Sequence, residues 1–261
     1  MNTARQLWRM IPAGAAKDRV RVFIHNRRSG RAGRYYRLAA GYGIQIDDIR
    51  FRTSDPPFGA IPAIRDFQAE YEVQPGDGVL DAGAFHGWEA LFFARRVGPQ
   101  GGVIAVEPDP ANCAVLEQNL RINRATGRVR VVQKGLWSSV GSVRFHQQGN
   151  LASSAFWTGP QSTPVELATT TIDALLAESP LARLDFVKMN IEGAEIAALQ
   201  GADATIRRYH PQFAIATDHT VDGQTTSGRV EAILRDYGYR VATRRVAHGA
   251  IITYTIPGAG P

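Results

Sequence analysis

From Pro75 onward, short apolar runs alternate with stretches in which apolar residues recur every three or four positions. The runs Val79–Ala82, Val103–Val106, Val129–Gln133, Leu184–Met189 and Phe213–Thr217 predict buried strands, since a strand covered on both faces needs no polar alternation. Between them Trp88–Val97, Ala111–Arg121, Thr170–Leu176, Ala194–Ile206 and Arg229–Tyr237 have helical spacing, and Tyr239–Val246 and Ala250–Ile256 read as a closing pair of strands. Alternating strands and helices make βαβ units, so the pattern predicts an α/β fold, a mostly parallel sheet with helices on both faces. Residues 1–50 follow another grammar. Their periodicity is weak and broken by Gly30, Gly33, Gly41 and Gly43, which predicts a short helix or two with loops. Pro56, Pro57 and Pro62 make 55–62 a stiff connector, and Ile64, Phe67 and Tyr71 predict a helix over 63–73. The expected organisation is an N-terminal extension and connector over 1–62, a domain over 63–256 and a frayed tail over 257–261.

With 261 residues, 44% hydrophobic and 21% charged, the chain can bury a core without covalent staples. Cys113 is the single cysteine, so an internal disulfide and a cysteine metal cage are both excluded. There is no apolar run of about 18 residues. The short N-terminal apolar stretch (Leu7, Trp8, Met10, Ile11) is interrupted by Arg9 and followed by Pro12, a poor signal peptide. A cytoplasmic protein is the expectation. Charge is uneven: residues 1–50 hold eleven Lys or Arg against three Asp or Glu, a net of +8, within a chain whose formal net charge is +6. Twenty-seven of the 30 basic residues are arginines. The basic segment is either a solvated surface or one that faces something anionic, such as a nucleic acid, a phosphorylated carrier or a membrane.

Three strand ends carry chemistry. The run Val79-Leu80-Asp81-Ala82-Gly83-Ala84-Phe85-His86-Gly87 ends a strand in a carboxylate and turns through two glycines into a helix. In open α/β sheets ligands sit at such carboxyl ends. The spacing is Asp-x-Gly-x-x-x-Gly, without the close glycine pair that seats a pyrophosphate at a helix N-terminus, so NAD is not expected. S-adenosylmethionine carries no phosphate, and its ammonium suits Asp81, directly or through water. An ordinary glycine-rich turn is the plainer reading. The second strand ends at Glu107-Pro108-Asp109. Glu107 can accept from both ribose hydroxyls, while Asp109, directly before Pro110, suits the helix cap. The third signal is Lys188, Asn190 and Glu192, which alternation puts on one side if the segment stays extended. A local Lys–Glu pair with a capping Asn is the structural alternative. Gly135, Leu136 and Trp137 follow the third strand, where Trp137 either stacks on a ligand ring or fills the core. Ser153, Ser154, Phe156 and Trp157 are candidates for an acceptor-pocket wall, or a plain loop anchor.

The run Tyr71–Gly87, Glu107-Pro108, Asn112 to Asn123, Thr169–Asp173, Gly201-Ala202 and above all Phe186–Glu195 resemble the FkbM-type S-adenosylmethionine-dependent methyltransferases, over about residues 63–246. The resemblance implies the class I methyltransferase fold, a Rossmann-like seven-stranded sheet whose last strand is antiparallel. It implies methyl transfer to a hydroxyl of a sugar or secondary metabolite, with a small-molecule or glycan acceptor as partner. The cofactor contacts it implies are Asp81, Gly83, Ala84, Phe85, Gly87, Glu107, Pro108, Gly135, Leu136 and Asn190. Two positions depart from the family pattern: Asn190 stands where Asp is usual, and Ala216-Thr217-Asp218-His219 stands where the fifth strand tends to end in Glu. The catalytic candidates are His219, Asp218, Asn190, Glu192 and Lys188. Asn190 cannot take a proton, so His219, with an ordinary pKa near neutrality, is the expected base, with Asp218 orienting or replacing it. Asn190, Asp218 and His219 also look like a distant variant of the metal site of catechol-type O-methyltransferases. One Asp with an Asn is a thin ligand set for Mg2+, so no metal is assigned and the three stay as candidate ligands. Two rival readings stand beside the main one: a nucleic-acid methyltransferase using the basic N-terminus, and a non-catalytic cofactor-binding protein.

Overall fold

The first element of the computed structural model, which describes residues 14–147, 163–247 and 249–258, is a helix that buries no residue, α1 (Ala15–Ser29). Its Asn26 side chain accepts from Tyr35 N at 2.7 Å and donates to Tyr35 O at 2.9 Å, which docks the helix on an antiparallel meander. The meander consists of β1 (Arg34–Arg37), β2 (Tyr42–Ile46) and β3 (Ile49–Thr53). Sequence patterning predicted loops here. The alternation is present in Ile49-Arg50-Phe51-Arg52-Thr53, whose exposure alternates buried and exposed, but the flanking glycines mask it. Helix α2 (Ala60–Phe67) starts inside the expected connector and stops before Tyr71. Pro62 fits in its first turn, where the missing N–H has no helical partner to lose.

Then come β4 (Gly78–Ala82), α3 (Trp88–Arg96), β5 (Gly102–Val106), α4 (Pro110–Ile122) and β6 (Val129–Val132). An unanticipated small sheet follows, made of β7 (Gly135–Leu136), β8 (Gly141–Gln147) and β9 (Thr163–Thr170), with β9 in the middle. The segment with Ser153, Ser154, Phe156 and Trp157 lies outside the described residues. The chain continues through α5 (Ile172–Ala177), β10 (Phe186–Met189), α6 (Glu195–Gln200), α7 (Asp203–Tyr209), β11 (Gln212–Ala216), β12 (Thr220–Val221), β13 (Gln224–Thr225), α8 (Ser227–Asp236), β14 (Val241–Arg245) and β15 (Ile251–Thr255). The single helix expected over 194–206 is two, broken at Gly201-Ala202. A Cβ at Gly201 would stand 2.4 Å from the Trp137 carbonyl oxygen, so the break follows a close backbone approach.

The main sheet has the order β14-β15-β11-β10-β4-β5-β6. Strands β4, β5, β6, β10 and β11 pair in parallel, and the last strand, β15, is antiparallel to both its neighbours, as expected. The order reverses at β4, between β5 and β10, and that switch point is where a doubly wound sheet opens a crevice. The meander is not a separate body. Tyr35, Ile44, Ile46 and Phe51 belong to the same buried cluster as Leu91, Phe92, Phe93, Val103 and Tyr254. The expected boundary at residue 62 is therefore not a packing boundary. No helix among the described residues is long and apolar enough to cross a membrane.

Candidate active site

Gly83 and Gly87, after β4, adopt left-handed conformations with φ +75° and +79°, and Phe85 does so without being glycine, at +49°. Protein, rather than a ligand, crowds both glycines: a Cβ at Gly83 would lie 1.9 Å from the Asn190 carbonyl oxygen, and one at Gly87 3.0 Å from Leu116 Cγ. Gly83 N and Ala84 N both donate to the Val106 carbonyl, at 2.9 and 3.0 Å. The first turn is thus fastened to the end of β5 and pressed against the loop after β10.

Glu107 closes β5. Its Oε2 accepts from Phe85 N at 2.8 Å, and its Oε1 accepts from Asp109 N and Asn112 Nδ2, both at 3.1 Å. Burial raises its pKa, although these hydrogen bonds oppose the rise. Asp109 caps α4 as expected, accepting from Ala111 N at 2.8 Å.

Gly83, Phe85, Glu107 and Pro108 wall a cleft whose empty volume, open mouth included, is about 770 Å³. Gly135, Leu136 and Trp137 form a second wall, and Asn190, Ile191 and Glu192 a third. The small sheet roofs it with Val143, Leu167 and Thr169, and Asn112 and Lys134 line it too. Sequence reading missed these five. Asn112 had a legible signal, since it lies one turn beyond the strand-end acid on a capped helix. The roof depends on pairing across a long insertion, which periodicity does not reveal.

Three of the expected cofactor contacts lie off this wall. Ala84 and Gly87 are buried, and Asp81 is fully buried with its charge already matched. Lys188 Nζ lies 2.9 Å from Asp81 Oδ1 in an ion pair made off the hydrogen-bonding axis. It also donates to Gly83 O at 2.8 Å. Burial alone would lower the Lys188 pKa, but the charges of Asp81 and Glu89 outweigh it and raise it. Lys188 is therefore a buried cation that braces the first turn and lies off the cavity wall, apart from the acceptor-side position expected for it. It parts from Asn190 and Glu192 because β10 ends at Met189 and Glu192 turns to φ +55°.

His219 also differs from expectation. Its Nδ1 lies 2.8 Å from Glu195 Oε1 and its Nε2 3.7 Å from Glu192 Oε1. Burial would lower its pKa, but the two carboxylates outweigh that and push it up to about 10. The imidazole is a cation at neutral pH, with no free lone pair for a proton or a metal. Asp218 is exposed and off the cavity wall, and the partners of the His219 ring are Glu192 and Glu195. Glu195 Oε1 also accepts from Ile191 N and Gly193 N, at 3.3 and 3.2 Å, which shapes the loop that carries Asn190 and Glu192. Among the described residues no group of three or more His, Cys, Asp or Glu is disposed to hold a metal.

A further cluster lies beside the first turn. Asp55 Oδ2 is 2.7 Å from His86 Nδ1, and its Oδ1 accepts from Asn119 Nδ2 at 3.0 Å. Burial disfavours the ionised carboxyl, but the hydrogen bonds from His86 and Asn119 prevail and hold the Asp55 pKa below its ordinary value. The His86 ring stacks on Phe85 with centroids 3.6 Å apart, so the meander is linked to a cavity residue.

Residues 81–241 match the family model for the methyltransferase FkbM domain. Methyltransferase sdnD of Sordaria araneosa is 27% identical over 202 residues, covering 64% of this chain and 75% of that protein. The crystal structure of methyltransferase FkbM from Methylobacillus flagellatus superposes with a TM-score of 0.53 at 22% identity. That match covers 74% of this chain but only 48% of the other, so the chain spans about half the length of that relative. The likeness is one of fold, the class I S-adenosylmethionine-dependent methyltransferase sheet described above. Because the family model spans more than half of the sequence, on the strand ends that build the cavity, the chain belongs to the FkbM methyltransferase family.

Proposed function

We propose that this chain methylates a hydroxyl of a small-molecule or glycan acceptor, a sugar or secondary metabolite, using S-adenosylmethionine. The observation that carries the reading is Glu107, a buried strand-end acid fixed by three hydrogen bonds with its cavity side still able to accept. The donor set fits the cofactor: a carboxylate for vicinal hydroxyls, Leu136 and Trp137 as an apolar wall for a flat ring, and the Gly83–Phe85 turn for the amino-acid end. When bound, the sulfonium supplies the methyl group as an electrophile.

The chain's own work is then orientation and handling of one proton. Asn190, on the cavity wall, orients the acceptor hydroxyl by hydrogen bonding and takes no proton. The Glu192 carboxylate is the proton's destination, because it is the carboxylate on that wall beside Asn190. His219 holds Glu192 in place as its cationic partner. Lys188 braces the first turn from below through the Gly83 carbonyl.

Calorimetry with S-adenosylhomocysteine tests the reading. Glu107→Ala should weaken binding roughly ten- to a hundredfold, the loss of a charge-assisted hydrogen bond worth about 1.5–3 kcal/mol. An unchanged dissociation constant in a folded variant removes Glu107 from the site.

A further inference from the structure

A second groove lies at the far end of the molecule, between the outer face of the meander and the ends of α3 and α4. Its empty volume is about 1230 Å³, and its lining includes Arg50, Arg52, Arg95 and Arg124. Among the described residues none of these four guanidiniums has a carboxylate within 4.0 Å, although arginines nearby are matched, Arg37 by Asp18 and Arg121 by Glu117. Arg95 is held by its Nη2 donating to the Asn123 carbonyl at 3.3 Å, and Asn123 in turn grips both backbone groups of Arg52. The charge is therefore mounted on a fastened frame.

The sheet register explains the shape. Tyr36, Gly43 and Arg52 lie in one row across β1, β2 and β3 and share the outer face. Gly43 supplies no side chain, and Leu38 Cδ1 and Tyr36 Cδ2 settle over its backbone, 3.6 and 3.7 Å from where a Cβ would stand. Tyr36 is 39% exposed, and its hydroxyl is anchored by donating to Gln45 Oε1 at 2.8 Å. An anchored, half-exposed ring suits a planar group, and four guanidiniums without a carboxylate suit phosphates.

We infer that this groove binds single-stranded nucleic acid, with the four arginines on the phosphates and a base against Tyr36. An acidic protein would satisfy the arginines but leave the exposed Tyr36 ring without a planar partner. The groove is not the reacting end of a small acceptor. Helix α4 starts beside Glu107 and ends at Ile122, so its 13 residues separate groove from cavity by about 20 Å. The inference does not rest on the identity of the methyl acceptor.

Fluorescence anisotropy with labelled oligo-dT and oligo-rU tests it. Four neutralised phosphates give a slope of log affinity against log salt of roughly −2.8, hence a loss of roughly fiftyfold between about 50 and 200 mM salt. Arg52→Gln/Arg124→Gln should cut the slope to roughly −1.4 and the salt-induced loss to roughly sevenfold. Arg50→Gln/Arg95→Gln should do the same and guards against misfolding of the first pair. Arg19→Gln/Arg27→Gln on the exposed face of α1 should change neither. No binding at low salt overturns the inference, as does binding that responds to the α1 pair and not to the groove pairs. Displacement by poly-glutamate as readily as by unlabelled oligonucleotide would assign the groove to an acidic protein. Saturation by inorganic pyrophosphate or ADP without oligonucleotide binding would assign it to a small phosphate ligand; either result overturns the nucleic-acid reading.

Discussion

His219 is held between two carboxylates, so its titration tests the loop it supports. Its pKa in the folded chain is about 10, against about 6.5 unfolded. A raised cation pKa contributes stability that is fully present below about 6.5 and is lost as pH rises through about 10. Chemical denaturation across that window should therefore show wild-type stability falling toward pH 10, and His219→Gln should flatten the fall. Parallel profiles for the two proteins would remove the clamp. The variant should also lower turnover while leaving S-adenosylhomocysteine affinity within a few-fold, since Glu192 and not Glu107 loses its partner. At this scale the sequence shows which residues gather but not always what they do. Lys188, Asn190 and Glu192 are spaced for one strand face, and alternation holds only while the backbone stays extended. The left-handed turn at Glu192 ends it. The His219 ion pairs depend on Glu195, which closes the Phe186–Glu195 run but lies beyond the strand, where alternation gives no sign of its partner.

The small sheet β7–β9–β8 is the element that turns an open strand-end crevice into a cavity. Leu167 on β9 reaches over Gly135: a Cβ there would meet its Cδ2 at 3.0 Å. Leu167→Ala should open the roof and weaken S-adenosylhomocysteine binding roughly three- to tenfold, as expected for about 1 kcal/mol of lost apolar contact. Calorimetry reads the affinity, and a thermal melt checks that the sheet persists; unchanged affinity would mean that the roof does not touch the ligand. The strands of the main sheet were legible because each is a continuous apolar run bounded by turn residues. The meander and the roof were not, because glycines interrupt one and a long insertion separates the pairing partners of the other, β8 and β9.

Across the whole molecule, Asn119 joins Asn123 in tying the N-terminal block to the catalytic half. Asn119 is fully buried; its Nδ2 donates to Asp55 Oδ1 and to the His86 carbonyl, and its Oδ1 accepts from Ser54 N and Oγ. Asn119→Ala strands several buried groups at once and should cost about 2–4 kcal/mol in denaturant unfolding. A loss below about 1 kcal/mol would show that the tie is dispensable. The charge imbalance was plain in the sequence, whereas the shared core was not, because only the fold brings Phe51 to Phe93. The place of the last strand has a further consequence, for assembly. β15 separates β14 from β11, so neither earlier strand meets its final neighbour until residues 251–255 have left the ribosome. At about 5–20 residues per second, every strand but the last is made while the apolar edge of β11 is still unpaired. Until residues 251–255 are made, the nascent chain therefore offers a ready template for wrong pairing, and the finished hairpin closes it.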